Sequence, residues 1–238
     1  MDIQNDLAQL ANELKIDYFG VADLETARSF VDQMSDGLLA KYPFALSIGI
    51  ALPHRIVDDL EKIGSDFTKI SYHTHAYSLV NERLNHVASV FHSLLQKGGY
   101  PSYPIAASQR FSDTGISSLF SHKLAAHLSG LGWIGKSCLL VTENDGPRTR
   151  WISVLTDAPL EPTGDSVTEP KCGNCRKCVD VCPANAFKNR RFDPDEPRYM
   201  RYDAAKCQAH FDSLKRKSRI HVCGLCLAAC PFGKNREK

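Results

Sequence analysis

The chain has 238 residues, with 29 Lys and Arg against 27 Asp and Glu and a net charge of +2. Hydrophobic residues make up 43% and charged residues 24%, an ordinary composition for a folded protein in water. The near balance of charge excludes a protein that binds nucleic acid or membrane through overall charge, and no apolar run approaches the ~18 residues of a membrane span.

The start, Met1-Asp2-Ile3-Gln4, has neither the basic nor the apolar stretch of a secretory signal, so a cytoplasmic location is expected. Residues 2–15 then read as an amphipathic helix, with Ile3, Leu7, Leu10, Ala11 and Leu14 at helical spacing and Asp2 as its cap. Ile16 to Val21 reads as a short strand, and Leu24 to Met34 as a second helix. Phe44 to Leu52 is apolar on both faces, the pattern of a strand covered on both sides, and Pro53 ends it. A long helix is expected over His75 to Gln96, stopped by Gly98-Gly99. Tyr103 to Ala107 reads as a strand, and Ser117 to Ser129 as a helix ending at Gly130. Ser137 to Thr142 and Arg148 to Thr156 read as two strands joined by the turn Glu143 to Pro147. The expected fold is α+β or α/β, a sheet with helices on both faces. The turn-rich stretch Asp157 to Asp165 reads as a connector, giving a first domain over 1–165 and a second over 166–238.

The second domain is dominated by cysteines. Cys172-x2-Cys175-x2-Cys178-x3-Cys182-Pro183 is followed by Cys207 and then by Cys223-x2-Cys226-x3-Cys230-Pro231. The first run has the bacterial ferredoxin spacing, in which three cysteines hold one [4Fe–4S] cluster and the fourth reaches to another. By that rule Cys172, Cys175, Cys178 and Cys230 form one ligand set. Cys182, Cys207, Cys223 and Cys226 form the second. Pairs of the form CxxC also build zinc sites, but a triple run closed by x3-Cys-Pro fits clusters better. A disulfide framework does not suit a chain without a secretory signal.

A cluster pair joined to a large domain usually passes electrons to something held there. In that domain, Asp113 in Ser112-Asp113-Thr114-Gly115 reads either as a proton donor or as a helix cap. In Gly132-Trp133-Ile134-Gly135-Lys136 the glycines let backbone approach a flat ligand and Lys136 can meet an anion, while the plainer reading is a tight turn around a core tryptophan. Tyr72-His73-Thr74-His75-Ala76-Tyr77 gathers histidines and tyrosines at the expected helix start, where anions bind. His127 reads as a histidine that satisfies local hydrogen bonds or lies on a solvated face, and Cys138 as a buried small hydrophobe. Lys188 to Arg219 holds ten Lys or Arg against five Asp or Glu. That stretch is either a solvated surface or a dock for an acidic electron donor or RNA.

Taken together, Asp113-Thr-Gly, Gly130-Leu-Gly-Trp-Ile-Gly-Lys136, Thr156-Asp-Ala-Pro-Leu160 and the two cysteine blocks resemble epoxyqueuosine reductase and its shorter relatives, a family itself similar to reductive dehalogenases. The resemblance implies a nitroreductase-like domain that binds cobalamin, reduced by two [4Fe–4S] clusters. It implies Asp113 as proton donor and Gly132, Trp133, Ile134, Gly135 and Lys136 as a corrinoid loop; Tyr72 and His75 lie in a stretch that departs from the family's usual one and are expected at the cofactor from their place at the helix start. Implied partners are a low-potential donor, flavodoxin or ferredoxin, and a small-molecule or nucleoside substrate. Epoxyqueuosine reductases that act on tRNA carry a helical-repeat domain after the clusters. This chain runs seven residues past Pro231, which lowers the expectation of tRNA. The other reading is an electron-transfer or corrinoid-activating protein with no substrate of its own.

Overall fold

A computed structural model describes residues 2–63, 65–108, 118–164, 169–218 and 222–234, with backbone alone at 217 and 218. In chain order the elements are α1 (Ile3–Glu13), β1 (Tyr18–Asp23), α2 (Arg28–Ser35), β2 (Phe44–Ala51), α3 (His54–Lys62) and α4 (Asp66–His73). A π turn at Thr74–Ser78 leads into α5 (Leu79–Lys97), then β3 (Ser102–Ile105), α6 (His122–Leu128), β4 (Trp133–Ile134), β5 (Leu140–Val141) and β6 (Thr149–Thr156). Three helices close the chain: α7 (Lys177–Asp180), α8 (Ala204–Ser218) and α9 (Leu225–Ala228).

These elements gather into two compact units, each built from three stretches of chain. The first takes Met1–Ile50, Asn81–Gly132 and Arg150–Thr168. Its sheet has the order β1-β2-β6-β3, with β1 antiparallel to β2 and β3 antiparallel to β6. All of Ala45 to Ile50 is buried, as the doubly apolar pattern requires. On one face Ala22, Ala45 and Leu155 pack with Leu124 and Ala125 of α6. Side chains alternate along a strand, so Phe19 points to the other face, where its ring meets Phe91 of α5 at 5.6 Å. Gly49 sits under Trp151; a Cβ there would lie 2.6 Å from the indole. Asp2 caps α1, its carboxylate accepting from the Gln4 and Asn5 amides. The fold of this unit is mixed α and β around a small antiparallel sheet.

The second unit takes Ala51–Val80, Trp133–Thr149 and Glu169–Lys238. It contains the β4-β5 hairpin, helices α3 and α4, and the cysteine loops, with α3 packed on both α4 and α9.

Three expectations need correction. β5 pairs with β4, and β6 joins the four-stranded sheet, so the two expected strands are not partners. Locally, Thr142 and Gly146 exchange both backbone hydrogen bonds, 2.9 and 3.1 Å, in a single bridge, and the Arg148 amide turns back to the Asp145 carbonyl at 3.1 Å. The long helix becomes α-helical only at Leu79, because the π turn precedes it. Of the helix expected over 117–129, only α6 is helical within the described residues 118–129, and it starts after Ser121. The stretch between Pro53 and Thr74, unassigned in the sequence, forms α3 and α4.

Candidate iron–sulfur site

The cysteine loops are short turns whose backbone bonds fix the thiols. The Cys175 amide donates to the Cys172 carbonyl at 3.0 Å, and the one-turn helix α7 ends with the Cys182 amide on the Val179 carbonyl. The second loop opens with Gly224 at φ +74 and winds through α9, where the Ala228 amide donates to the Gly224 carbonyl at 3.0 Å.

Electrostatic neighbourhood divides the eight thiols into two sets. Burial pushes the Cys178 thiol up to about 11, helped by Cys230, Cys172 and Cys175. Burial also raises Cys230 to about 11, against the opposing Phe232 amide, with Cys172 and Cys175 adding to the rise. Burial raises Cys226 far above the ordinary thiol, followed by Cys223, Cys207 and Cys182 and last by Cys178. The structure therefore gathers Cys172, Cys175, Cys178 and Cys230 on one side and Cys182, Cys207, Cys223 and Cys226 on the other, with Cys178 close enough to act on Cys226. The first set lines a cavity of about 230 Å3 together with Lys136, Lys171 and Phe232. Among the described residues no three Cys, His, Asp or Glu converge as they would on a single metal ion. A donor set of four thiols spread around a cavity suits a cluster, whose iron atoms each take one thiolate.

Around the first set the packing is tight. Lys136 is 7% exposed and its Nζ donates to the Cys175 carbonyl at 3.1 Å. A Cβ on Gly135 would meet Val141 at 2.9 Å and Cys172 Sγ at 3.4 Å. Trp133 meets Phe232 edge to face at 4.9 Å, and its buried indole N–H has no hydrogen-bond partner among the described residues. Two glycines let backbone meet backbone. A Cβ on Gly146 would lie 2.0 Å from the Phe232 carbonyl oxygen, and one on Gly233 would lie 2.2 Å from that of Asp145. His54 ties the same loops, its Nδ1–H donating to the Gly233 carbonyl at 3.1 Å and its Nε2 lying 2.9 Å from Asp145 Oδ1. Arg148, fully buried, donates to Asp58 at 2.6 Å and weakly lowers Cys230.

The second set rests on different supports. Cys207 rides on α8, its amide on the Asp203 carbonyl at 3.3 Å. The Ala186 amide donates to Cys182 Sγ at 3.5 Å, and the Tyr202 side chain is hydrogen-bonded to Cys207. Tyr72 is buried against the second loop, where a Cβ on Gly224 would lie 2.9 Å from its ring.

The remaining expected residues are scattered. Asp113 lies outside the described residues. Gly132 is buried and its carbonyl accepts from His127 Nδ1–H at 2.9 Å, so His127 is locally bonded and, being buried, is not on a solvated face. Ile134 is buried in β4, Cys138 is buried, and His75 is exposed in the π turn. Sequence reasoning missed Tyr202, His54 and Arg148. The partners of His54 and Arg148 lie some 90 residues away, Tyr202 bonds to Cys207 only five residues on, and no spacing rule links any of them.

A family model described as a 4Fe-4S double cluster binding domain matches residues 171–233, which include all eight cysteines. The epoxyqueuosine reductase of Bacillus subtilis is 25% identical over 209 residues, covering 84% of this chain and 50% of that protein. A tetrachloroethene reductive dehalogenase of Desulfitobacterium hafniense is 31% identical over 193 residues, covering 74% of this chain and 32% of that protein. A solved reductive dehalogenase, described as suggesting a mechanism for B12-dependent dehalogenation, superposes with a TM-score of 0.72 at 21% identity. It covers 97% of this chain and 31% of that one. This chain thus spans half or less of the length of these proteins.

Proposed function

We propose, for a chain related to the epoxyqueuosine reductases and the reductive dehalogenases, that it is an oxidoreductase carrying two [4Fe–4S] clusters. The observation that carries this reading is the division of eight thiols into two adjacent sets of four. Cys172, Cys175, Cys178 and Cys230 hold the first cluster. Cys182, Cys207, Cys223 and Cys226 hold the second. Deprotonation of the raised thiols accompanies cluster binding, since thiolate is the ligand. The Lys136 ammonium and the buried Arg148 then offset negative charge beside the first cluster.

The reading extends to a cobalamin as the electron acceptor and to a nitroreductase-like first unit. The buried, unpartnered indole N–H of Trp133 is the kind of group that an added ligand satisfies, and the segment Gly132 to Lys136 is where we place the corrinoid contact, with Tyr72 and His75 as further candidates. Bound cobalamin supplies a strongly reducing cobalt centre. Asp113 serves as the proton donor to the reduced substrate, a small molecule or modified nucleoside; tRNA is the larger alternative. A flavodoxin or ferredoxin delivers the electrons in the reducing cytoplasm.

The test is anaerobic purification with added cobalamin, followed by iron, sulfide and cobalt analysis. About eight irons per chain with stoichiometric cobalt supports the corrinoid reductase. About eight irons without cobalt leaves an electron-transfer protein with no corrinoid of its own. Two bound zinc ions and no sulfide overturn the cluster assignment.

A further inference from the structure

Two of the four sulfurs in the second set receive hydrogen bonds from one small backbone feature. Phe187 and Tyr202 form an isolated antiparallel bridge. The Lys188 amide donates to the Arg201 carbonyl at 2.9 Å, and the Asp203 amide to the Ala186 carbonyl at 2.8 Å. The rings of Phe187 and Tyr202 stack on the same bridge, centroids 5.3 Å apart and 24° from parallel. From one end of it the Ala186 amide reaches Cys182 Sγ at 3.5 Å. From the other the Tyr202 hydroxyl donates to Cys207, which the first turn of α8 holds through its amide on Asp203.

We infer that Tyr202 is a positioning and tuning residue for the second cluster, its hydroxyl donating to the Cys207 sulfur and raising that cluster's reduction potential relative to the first. This rests on the cluster assignment made above. The physics is direct. Reduction adds one negative charge to the cluster and its thiolates, and a hydrogen bond to sulfur stabilises the more negative state. One electron enters, no bond forms or breaks, and the phenol proton stays on Tyr202. An ordinary phenol keeps its proton well above neutral pH, so it remains a donor in both oxidation states. The stack and the bridge fix the hydroxyl in place before an electron arrives.

The experiment is a redox titration of the purified cluster-loaded protein, wild type against Tyr202→Phe, followed by electron paramagnetic resonance. The variant keeps the ring stack and the backbone bridge and loses only the hydroxyl. We expect iron content to stay at the wild-type level and one of the two reduction waves to move to lower potential. At fixed potential the reduced fraction of that cluster relative to oxidised falls about tenfold, about 59 mV for one electron. Unchanged waves with full iron overturn the inference, as do two waves that move together, the mark of a general perturbation. If the variant loses iron, the wild type decides. After brief exchange into D2O, electron–nuclear double resonance of the reduced protein must show a strongly coupled exchangeable deuteron, and its absence refutes the hydroxyl–sulfur bond. A wild type that purifies without iron and sulfide refutes instead the cluster assignment on which the inference rests.

Discussion

Gly146 and Gly233 show how single residues hold this protein together. Each presses its α-carbon against a carbonyl of the other's loop, and both have positive φ, +58 and +84. Gly146→Ala therefore meets two penalties, a left-handed backbone and a Cβ inside the Phe232 carbonyl, and should cost ~3 kcal/mol or more. Gly99→Ala makes the control: its φ is +82 but nothing lies within 4 Å, so only the backbone cost of ~1–2 kcal/mol remains. Melting curves and iron content of the anaerobic proteins should separate them, with iron lost from the Gly146 variant alone. His122 gives a pH prediction. It sits between Ser153 and Ala106, and burial lowers its pKa from 6.5 to about 4. The unfolded chain thus takes up a proton that the folded chain refuses between pH 6.5 and 4. Stability falls as pH drops through that window, by roughly 3 kcal/mol, and is unaffected by this group above it. His122→Gln should flatten that part of the stability profile measured by urea unfolding. Of these residues the sequence exposes little: glycine, histidine and arginine say nothing of partners that lie 90 residues away. The cysteines are the exception, because the cluster's own geometry dictates their spacing.

At the scale of elements, legibility follows the strength of a repeating pattern. The doubly apolar β2, the capped α1 and the wide stripe of α5 are all plain from the sequence, since burial imposes a period on each. Helices α3 and α4 are not, because they are short and half solvated, and each buries only one or two large side chains: Val57 and Leu60 in one, Tyr72 in the other. The basic insert is two things at once. Arg201, 7% exposed, donates to the Asp193 and Glu196 carbonyls at 2.7 and 3.2 Å and is a structural strut. Lys206, Lys215 and Arg216 of α8 are exposed on the helix that carries Cys207. Lys215 and Arg216, neighbours at the far end of that helix from Cys207, are our candidate entry point for an acidic donor. Lys215→Glu with Arg216→Glu should slow reduction by flavodoxin about tenfold at low ionic strength. In stopped-flow measurements the gap should close as salt rises.

At the scale of the whole molecule the two units divide the work. The first has a conventional core of strands and helices, whereas the second is built of helices, one short hairpin and the loops that carry eight cysteine thiols. Removing iron should therefore unfold them unequally. Hydrogen exchange after chelation should rise sharply over 171–182 and 222–233 while residues 44–51 and 149–156 stay protected; uniform loss of protection would mean that the units are not energetically separate. Because the second unit draws on residues 51–80, 133–149 and 169–238, its parts leave the ribosome at widely separated times. Helix α3 emerges more than a hundred residues before the Gly224 loop that packs on its Leu60, and the Gly146 turn some 85 residues before Phe232. The unit cannot close until the residues through Phe232 have been made. Cluster insertion must wait for them, so the supply of iron and sulfide acts on a chain already more than 230 residues long and sets how long its apolar α3 face stays open to other molecules in the cell.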